Sequence, residues 1–117
     1  MKKYIQQYRE ALAEFADKVL RIKKTPKGLV YVQKWGTNRH AANLAFIALQ
    51  AAMIQPSLTK ATSYFDFAQK QLNYLLGDTG RSFVVGFGKN PPTGKICFFL
   101  NFEAVLLPSL KSDGFRT

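Results

Sequence analysis

Chemistry in this chain is concentrated in two places, one aromatic and basic, the other rich in glycine. The first is Trp35-Gly36-Thr37-Asn38-Arg39-His40. An indole face stacks on the apolar C–H face of a sugar ring, and an arginine beside it donates hydrogen bonds of fixed geometry to hydroxyls. The same residue types also serve as a core tryptophan and a helix-start arginine, which is the commoner arrangement. His40 is the single histidine of the chain. A lone histidine at a helix start is more often structural than catalytic, and no acid or cysteine stands at ligand spacing from it, so no metal site is expected. The second place is Gly77-Asp78-Thr79-Gly80-Arg81-Ser82. It echoes a phosphate loop, but Leu75 stands where the first glycine belongs, Arg81 replaces the lysine, and a helix rather than a strand precedes. That chemistry is excluded, and no cofactor is expected.

The acids narrow the choice further. Cleaving a glycosidic bond takes two carboxyl groups that face it. Glu10, Glu14, Asp17 and Asp66 lie on helical stretches among lysines and arginines, and Asp78, Glu103 and Asp113 show no pairing. No residue of this chain is expected to act as a catalytic acid or base.

The elements that must position these residues are helical. Ile5, Tyr8, Leu12, Phe15, Val19 and Ile22 recur at spacings of three and four, which places them on one face of a first helix. Glu14 with Lys18 and Asp17 with Arg21 are acid-before-base pairs four residues apart on its charged face. Pro26 and Gly28 end that pattern, and residues 29–32 are short and β-branched enough to be extended. A second helix starts near Thr37 or Asn38, either of which suits a cap, and Pro56 stops it. Its run of Ala41, Ala42, Leu44, Ala45, Phe46, Ile47, Ala48, Leu49, Ala51, Ala52 and Met53 is apolar on almost every face, which predicts burial on most sides. A third helix is predicted over residues 59–76, with a stripe of Tyr64, Phe67, Ala68, Leu72 and Leu75 and with Gly77 as a left-handed cap. Four glycines and two prolines then fall within residues 77–92, which makes a shaped loop with a short extended piece at 83–85.

Composition bounds the rest. The chain has 117 residues, one domain's worth, and 47% of them are hydrophobic, with ten Phe, five Tyr and one Trp. That excludes a disordered chain. Cys97 is the one cysteine, so no internal disulfide forms. The formal net charge of +10 admits nucleic acid or an anionic surface as partners on charge alone. Residues 1–34 hold nine of the basic residues against three acids. On an amphipathic helix that excess is more often a solvated face than a footprint, so a small basic binding module for nucleic acid or anionic surfaces stands as the alternative reading. No continuous apolar stretch follows Lys2 and Lys3, so no signal peptide is expected. The most apolar run, residues 96–110, contains Asn101, Glu103 and Pro108 and falls short of the roughly 20 residues that a span needs.

A resemblance then gathers the motifs. Thr25-Pro26-Lys27-Gly28-Leu29-Val30-Tyr31, followed by Trp35-Gly36-Thr37-Asn38-Arg39, resembles the pattern Thr-Pro-x-Gly-Leu and Trp-Gly-Ser-x-Arg of glycoside hydrolase family 9. Residues 41–49 look like the helix that follows it there. Residues 64–92 match a second block, Phe-Ala-x-x-Gln, Tyr-x-Leu-Gly, then Gly-Arg-Ser-Phe-Val-Val-Gly-Phe-Gly-x-Asn-Pro-Pro. The resemblance, closest to animal members, implies an all-α fold, a partial (α/α)6 barrel of three or four helices with a Gly/Pro-rich loop. It implies hydrolysis of the β-1,4 bonds of cellulose with inversion, outside the cell. Trp35 would stack on a glucosyl unit, Arg39 would contact sugar, and His40, where many members carry tyrosine, would line the same subsite. Arg81 and Asn90 would hold loop geometry.

After Pro92 the pattern stops. Members continue within a few residues to Pro-His-His-Arg, whereas Thr93-Gly94-Lys95-Ile96-Cys97-Phe98-Phe99 follows here. The resemblance therefore implies part of a catalytic domain over residues 1–94 and a divergent tail over 95–117, with the family's carboxylates absent and activity absent with them. β-1,4-Glucan is the implied partner, with no nucleic acid and no membrane. An apolar second helix with too few neighbours implies self-association as well.

Overall fold

The computed structural model describes residues 2–93. The expectations for the tail, including the apolar run 96–110, Cys97, Glu103 and Asp113, lie outside the described residues. Three α-helices make up the fold: α1 Lys2–Leu20, α2 Thr37–Ile54 and α3 Leu58–Leu76. None of them is long and apolar enough to cross a membrane.

The α2–α3 pair is the centre of the structure, and α1 lies across it with its C-terminal half. Alanine makes this seam. Ala41, Ala45, Ala48 and Ala51 recur at spacings of four, three and three, and all are buried against neighbouring elements. Small side chains let helix axes approach to the lower end of the usual 8–10 Å. Into that seam α3 inserts its large residues, Tyr64 and Phe67 beside Ala68, and α1 adds Ala16 and Val19.

Here the structure departs from the expected burial of α2. Only one face is covered, while Phe46 is 62% exposed and Met53 80%. The all-round apolar composition does not translate into all-round burial, because the described helices flank α2 on one side. For the same reason the apolar stripe of α1 is half unpartnered: Ile5, Tyr8 and Phe15 are exposed, and residues 2–11 touch little.

The ion pairs are partly those expected. Lys18 Nζ lies 2.8 Å from Glu14 Oε1. Asp17, however, turns from its own helix to α3, where its Oδ1 accepts a 2.6 Å hydrogen bond from the Tyr64 hydroxyl and its Oδ2 meets Lys60 Nζ at 3.0 Å. The Tyr64 partner is buried whereas Lys60 is exposed, so the Tyr64 bond is the stronger anchor and fixes α1 on α3.

Between α1 and α2 the chain folds into a tight turn at residues 25–28, with Thr25 N donating to Leu29 O and Tyr31 N to Lys23 O. One antiparallel bridge joins Lys24 to Val30, so the extended stretch expected at 29–32 amounts to a bridge. A glutamine of α3 clamps this turn. The Gln71 side chain accepts from Val30 N at 2.8 Å and donates to Gly28 O at 3.0 Å, and it is 2% exposed. Gln71 was no part of the expected stripe, whereas Leu72, which was, is exposed. The buried line is Tyr64, Phe67, Gln71 and Tyr74, at spacings of three, four and three.

The α3 cap is as expected. Gly77 has φ 110°, its N–H donates to Tyr74 O, and Asp78 N–H donates to Asn73 O, the paired bonds of a Schellman motif. Beyond it, residues 83–85 form bends and a turn rather than an extended piece. Phe83 stacks on Tyr74 with ring centroids 5.9 Å apart, and Phe83 N donates to Leu75 O. The loop packs back on the helix that it leaves.

Candidate functional site

The stretch singled out in the sequence wraps the first turn of α2. Neither Thr37 nor Asn38 caps the helix: the cap position is Gly36, with φ 66° and ψ 32°, and no side chain completes it. Thr37 is instead buried, and its hydroxyl donates backwards to Gln33 O at 3.0 Å. That bond closes the loop onto the helix start.

Gly36 is required here twice over. Its positive φ is a conformation that side chains resist. A Cβ on it would also stand 3.2 Å from Nη2 of Arg39. The Arg39 guanidinium is thus folded back over the bend before the helix. His40 is half-buried, and its Nε2 lies 2.9 Å from the side-chain nitrogen of Gln33. Trp35 is 51% exposed among the described residues. Trp35, Arg39 and His40 therefore share one short bend, with the indole half exposed and the guanidinium close to Gly36.

Two contributors escaped sequence reasoning. Gln33 orients His40, and nothing in its spacing marked it, since the partners lie seven positions apart across a bend. Gln71 was readable, because a glutamine on the line from Phe67 to Tyr74 is a polar group that must be satisfied in a buried row.

In the second loop, the Asn90 side-chain nitrogen donates to Gly80 O at 3.2 Å and Ser82 N donates to Lys89 O at 2.7 Å, so the two ends of the loop are tied together. Asn90 has φ 45°, the left-handed region that asparagine tolerates better than most residues. Arg81 is exposed and makes no hydrogen bond or ion pair among the described residues.

Two carboxylates of α1, Glu14 and Asp17, are held in their charged form. The hydrogen bond from Lys18 holds Glu14 below the usual carboxylate range. Asp17 is lowered as well, first by the Tyr64 hydroxyl and then by Lys60. A glycosidase's general acid needs the opposite shift, so that it keeps its proton near neutral pH. Burial and the Asp17 bond push Tyr64 up to about 12.

Three helices arranged in this way are a segment of an (α/α)6 barrel. The endoglucanase of the termite Nasutitermes takasagoensis superposes with a TM-score of 0.67 and 52% sequence identity, over 75% of this chain and 20% of that one. Endoglucanase CelQ of Clostridium thermocellum, solved with cellotetraose, gives 0.59 and 40% over 61% of this chain and 12% of that one. The sequence pattern of glycosyl hydrolase family 9 matches residues 1–95, and the chain belongs to that family. Endoglucanase 4 of a Bacillus strain is 48% identical over 77 residues, 64% of this chain, and a Dictyostelium discoideum endoglucanase is 41% identical over 70 residues. The chain spans 12% of the length of the Bacillus protein.

Proposed function

We propose that this chain forms part of the wall of a β-1,4-glucan cleft, in which Trp35 stacks on a glucosyl ring, Arg39 donates to its hydroxyls and His40 lines the same subsite. The carrying observation is the exposed indole at the start of α2 beside a guanidinium packed on Gly36. That the relatives are endoglucanases, one of them solved with cellotetraose, supports glucan as the ligand and hydrolysis as the activity of the whole enzyme. Residues 1–94 are then part of a catalytic domain and residues 95–117 a tail unlike the family. Asn90 holds the shape of the 77–93 loop, a role that its bond to Gly80 favours, and Arg81 is assigned to the same loop by the family resemblance. The 52% identity to the termite enzyme favours kinship with animal members and a secreted protein.

Hydrolysis by this chain alone is not expected, since its acids do not supply the two carboxyl groups that must face one glycosidic bond. A reducing-sugar assay on soluble cellulose should match the buffer blank. Activity that survives repurification and is lost in a single carboxylate variant would overturn that expectation. Trp35 is the one tryptophan, so its fluorescence reports the site directly. Cello-oligosaccharide should perturb the emission weakly, because one wall covers less than the roughly 70–90% of a ligand that a full site buries. Trp35→Ala should lack the response, and 0.5 M salt should leave it in place, as stacking does not depend on released counterions. An unchanged spectrum up to the solubility limit would remove Trp35 from this role.

A further inference from the structure

Away from Trp35, Arg39 and His40, a cavity of about 310 Å³ opens between the turn at residues 25–28 and the C-terminal half of α3. Three lysines line it, Lys24 and Lys27 from the turn and Lys70 from the helix, against one carboxylate, Asp78. Asn73 and Thr79 add an amide and a hydroxyl to the lining, and Phe67 lies at its base.

The cavity is built rather than incidental. The buried Gln71 bonds both Gly28 O and Val30 N, so the turn with two lysines is fastened to the helix with the third. Lys24 is held in place, with Nζ donating to Leu20 O at 2.9 Å and lying 5.8 Å from the centre of the Phe67 ring. An ammonium group has three donors, and this bond uses one of them. Lys27 and Lys70 have no ion-pair or hydrogen-bond partner among the described residues. Three positive charges and one negative line the cavity, and that excess favours an anion as its occupant. The volume lies at the small end of ligand pockets, which run to about 300 Å³ and upward, and it exceeds what a bare oxyanion needs. The amide and hydroxyl are partners for a polyol.

We propose that this cavity is a second ligand site, which takes a monosaccharide-sized anion: a sugar that carries a carboxylate or a phosphate. The anionic group pairs with Lys27 and Lys70 beside the fixed Lys24, and ring hydroxyls meet Asn73 and Thr79.

Equilibrium dialysis of the full chain at low salt tests this whatever its oligomeric state. The probes are glucuronate, glucose 6-phosphate, glucose and inorganic phosphate. Saturable binding of glucuronate or glucose 6-phosphate, one per chain, is expected, with glucose and inorganic phosphate each weaker by about tenfold or more, the equivalent of roughly 1.4 kcal/mol. The better of the two anionic sugars shows which charged group the lysines take. The double variant Lys27→Ala/Lys70→Ala, both exposed and outside the core, should lose about tenfold in affinity for that ligand, as two exposed charge contacts are worth together. Lys2→Ala/Lys3→Ala makes the same change in net charge and should retain wild-type binding, and so should Trp35→Ala, which separates this site from the glucan wall. Equal loss in both double variants would reduce the effect to overall charge and overturn the proposal. So would glucose or inorganic phosphate binding as tightly as the anionic sugars, or no saturable binding at all.

Discussion

The two faces of α2 are both largely apolar and meet opposite fates. Its inner face is alanine, at positions 41, 45, 48 and 51, and it is fully buried. Its outer face holds the bulk, Phe46 and Met53, which line with Phe65 of α3 an open apolar trough of about 580 Å³. Side-chain size, not hydrophobicity, separates the two. Small residues admit the neighbouring helix, and Tyr64 and Phe67 of that neighbour fill the space which they leave. The outer residues stay exposed because no described helix packs over them. One face shows how the α2–α3 pair holds together, and the other marks where a further surface fits.

Tyr64→Ala should give the largest break in this contrast. Tyr64 fills the alanine seam and also holds Asp17, so its removal leaves a cavity and a lost anchor. Large-to-small core changes of aromatic residues cost about 3–5 kcal/mol, and urea denaturation should show most of the folded baseline gone. Tyr64→Phe keeps the ring and removes the bond to a charged oxygen, for about 1.5–3 kcal/mol.

Ala45→Leu is next. It inserts three carbons where two helices touch, and overpacking of this kind costs about 1–3 kcal/mol. The adjacent residue sharpens the comparison: Phe46→Ser, one position along, should change stability by no more than about 0.5 kcal/mol. Its effect belongs to association instead. The open trough is the surface through which we propose that copies of the chain associate. Sedimentation at increasing concentration should show the wild-type chain self-associating and Phe46→Ser shifted toward monomer. Equal losses of stability at positions 45 and 46 would mean that the outer face is covered after all.

The smallest effects are those of pH on the α1 anchor. The folded pKa of Asp17 is depressed, so its contribution is present above the unfolded value near 3.8 and is lost as pH falls through the folded one. Tyr64 is raised from 10.0 to about 12, so its contribution is complete below pH 10 and is lost as pH rises toward 12. Denaturant midpoints should be flat between about pH 5 and 9 and fall at both ends. In Tyr64→Phe both falls should shrink, and the alkaline remainder belongs to Tyr74, which burial also raises.

Much of this was legible in the sequence. Helix existence followed from periodicity, because spacings of three and four on α1 and α3 leave no other regular structure that puts the apolar residues on one side. Gly77 was readable as a cap because only a residue without Cβ ends a helix there cheaply. The cluster of Trp35, Arg39 and His40 was readable as a stretch, though not as a surface. Indole exposure, the folded-back Arg39 and the orienting Gln33 depend on a bend at Gly36, where the backbone rather than a Thr37 or Asn38 side chain starts the helix.

By itself the sequence determined three helices, their ends within a residue or two, and the family motifs of residues 25–92. These are local quantities, set by side chains within a few positions of one another. The tertiary structure decided which face of α2 is inside, that Asp17 reaches Tyr64 and Lys60 instead of Arg21, and that Gln71 bolts the 25–28 turn to α3 and so gathers three lysines around one cavity. The Asp17 and Gln71 bonds join residues 41 to 47 positions apart. Such pairs leave no periodic trace in a single chain, because their geometry is set by how closely the helices pack and not by spacing along either one.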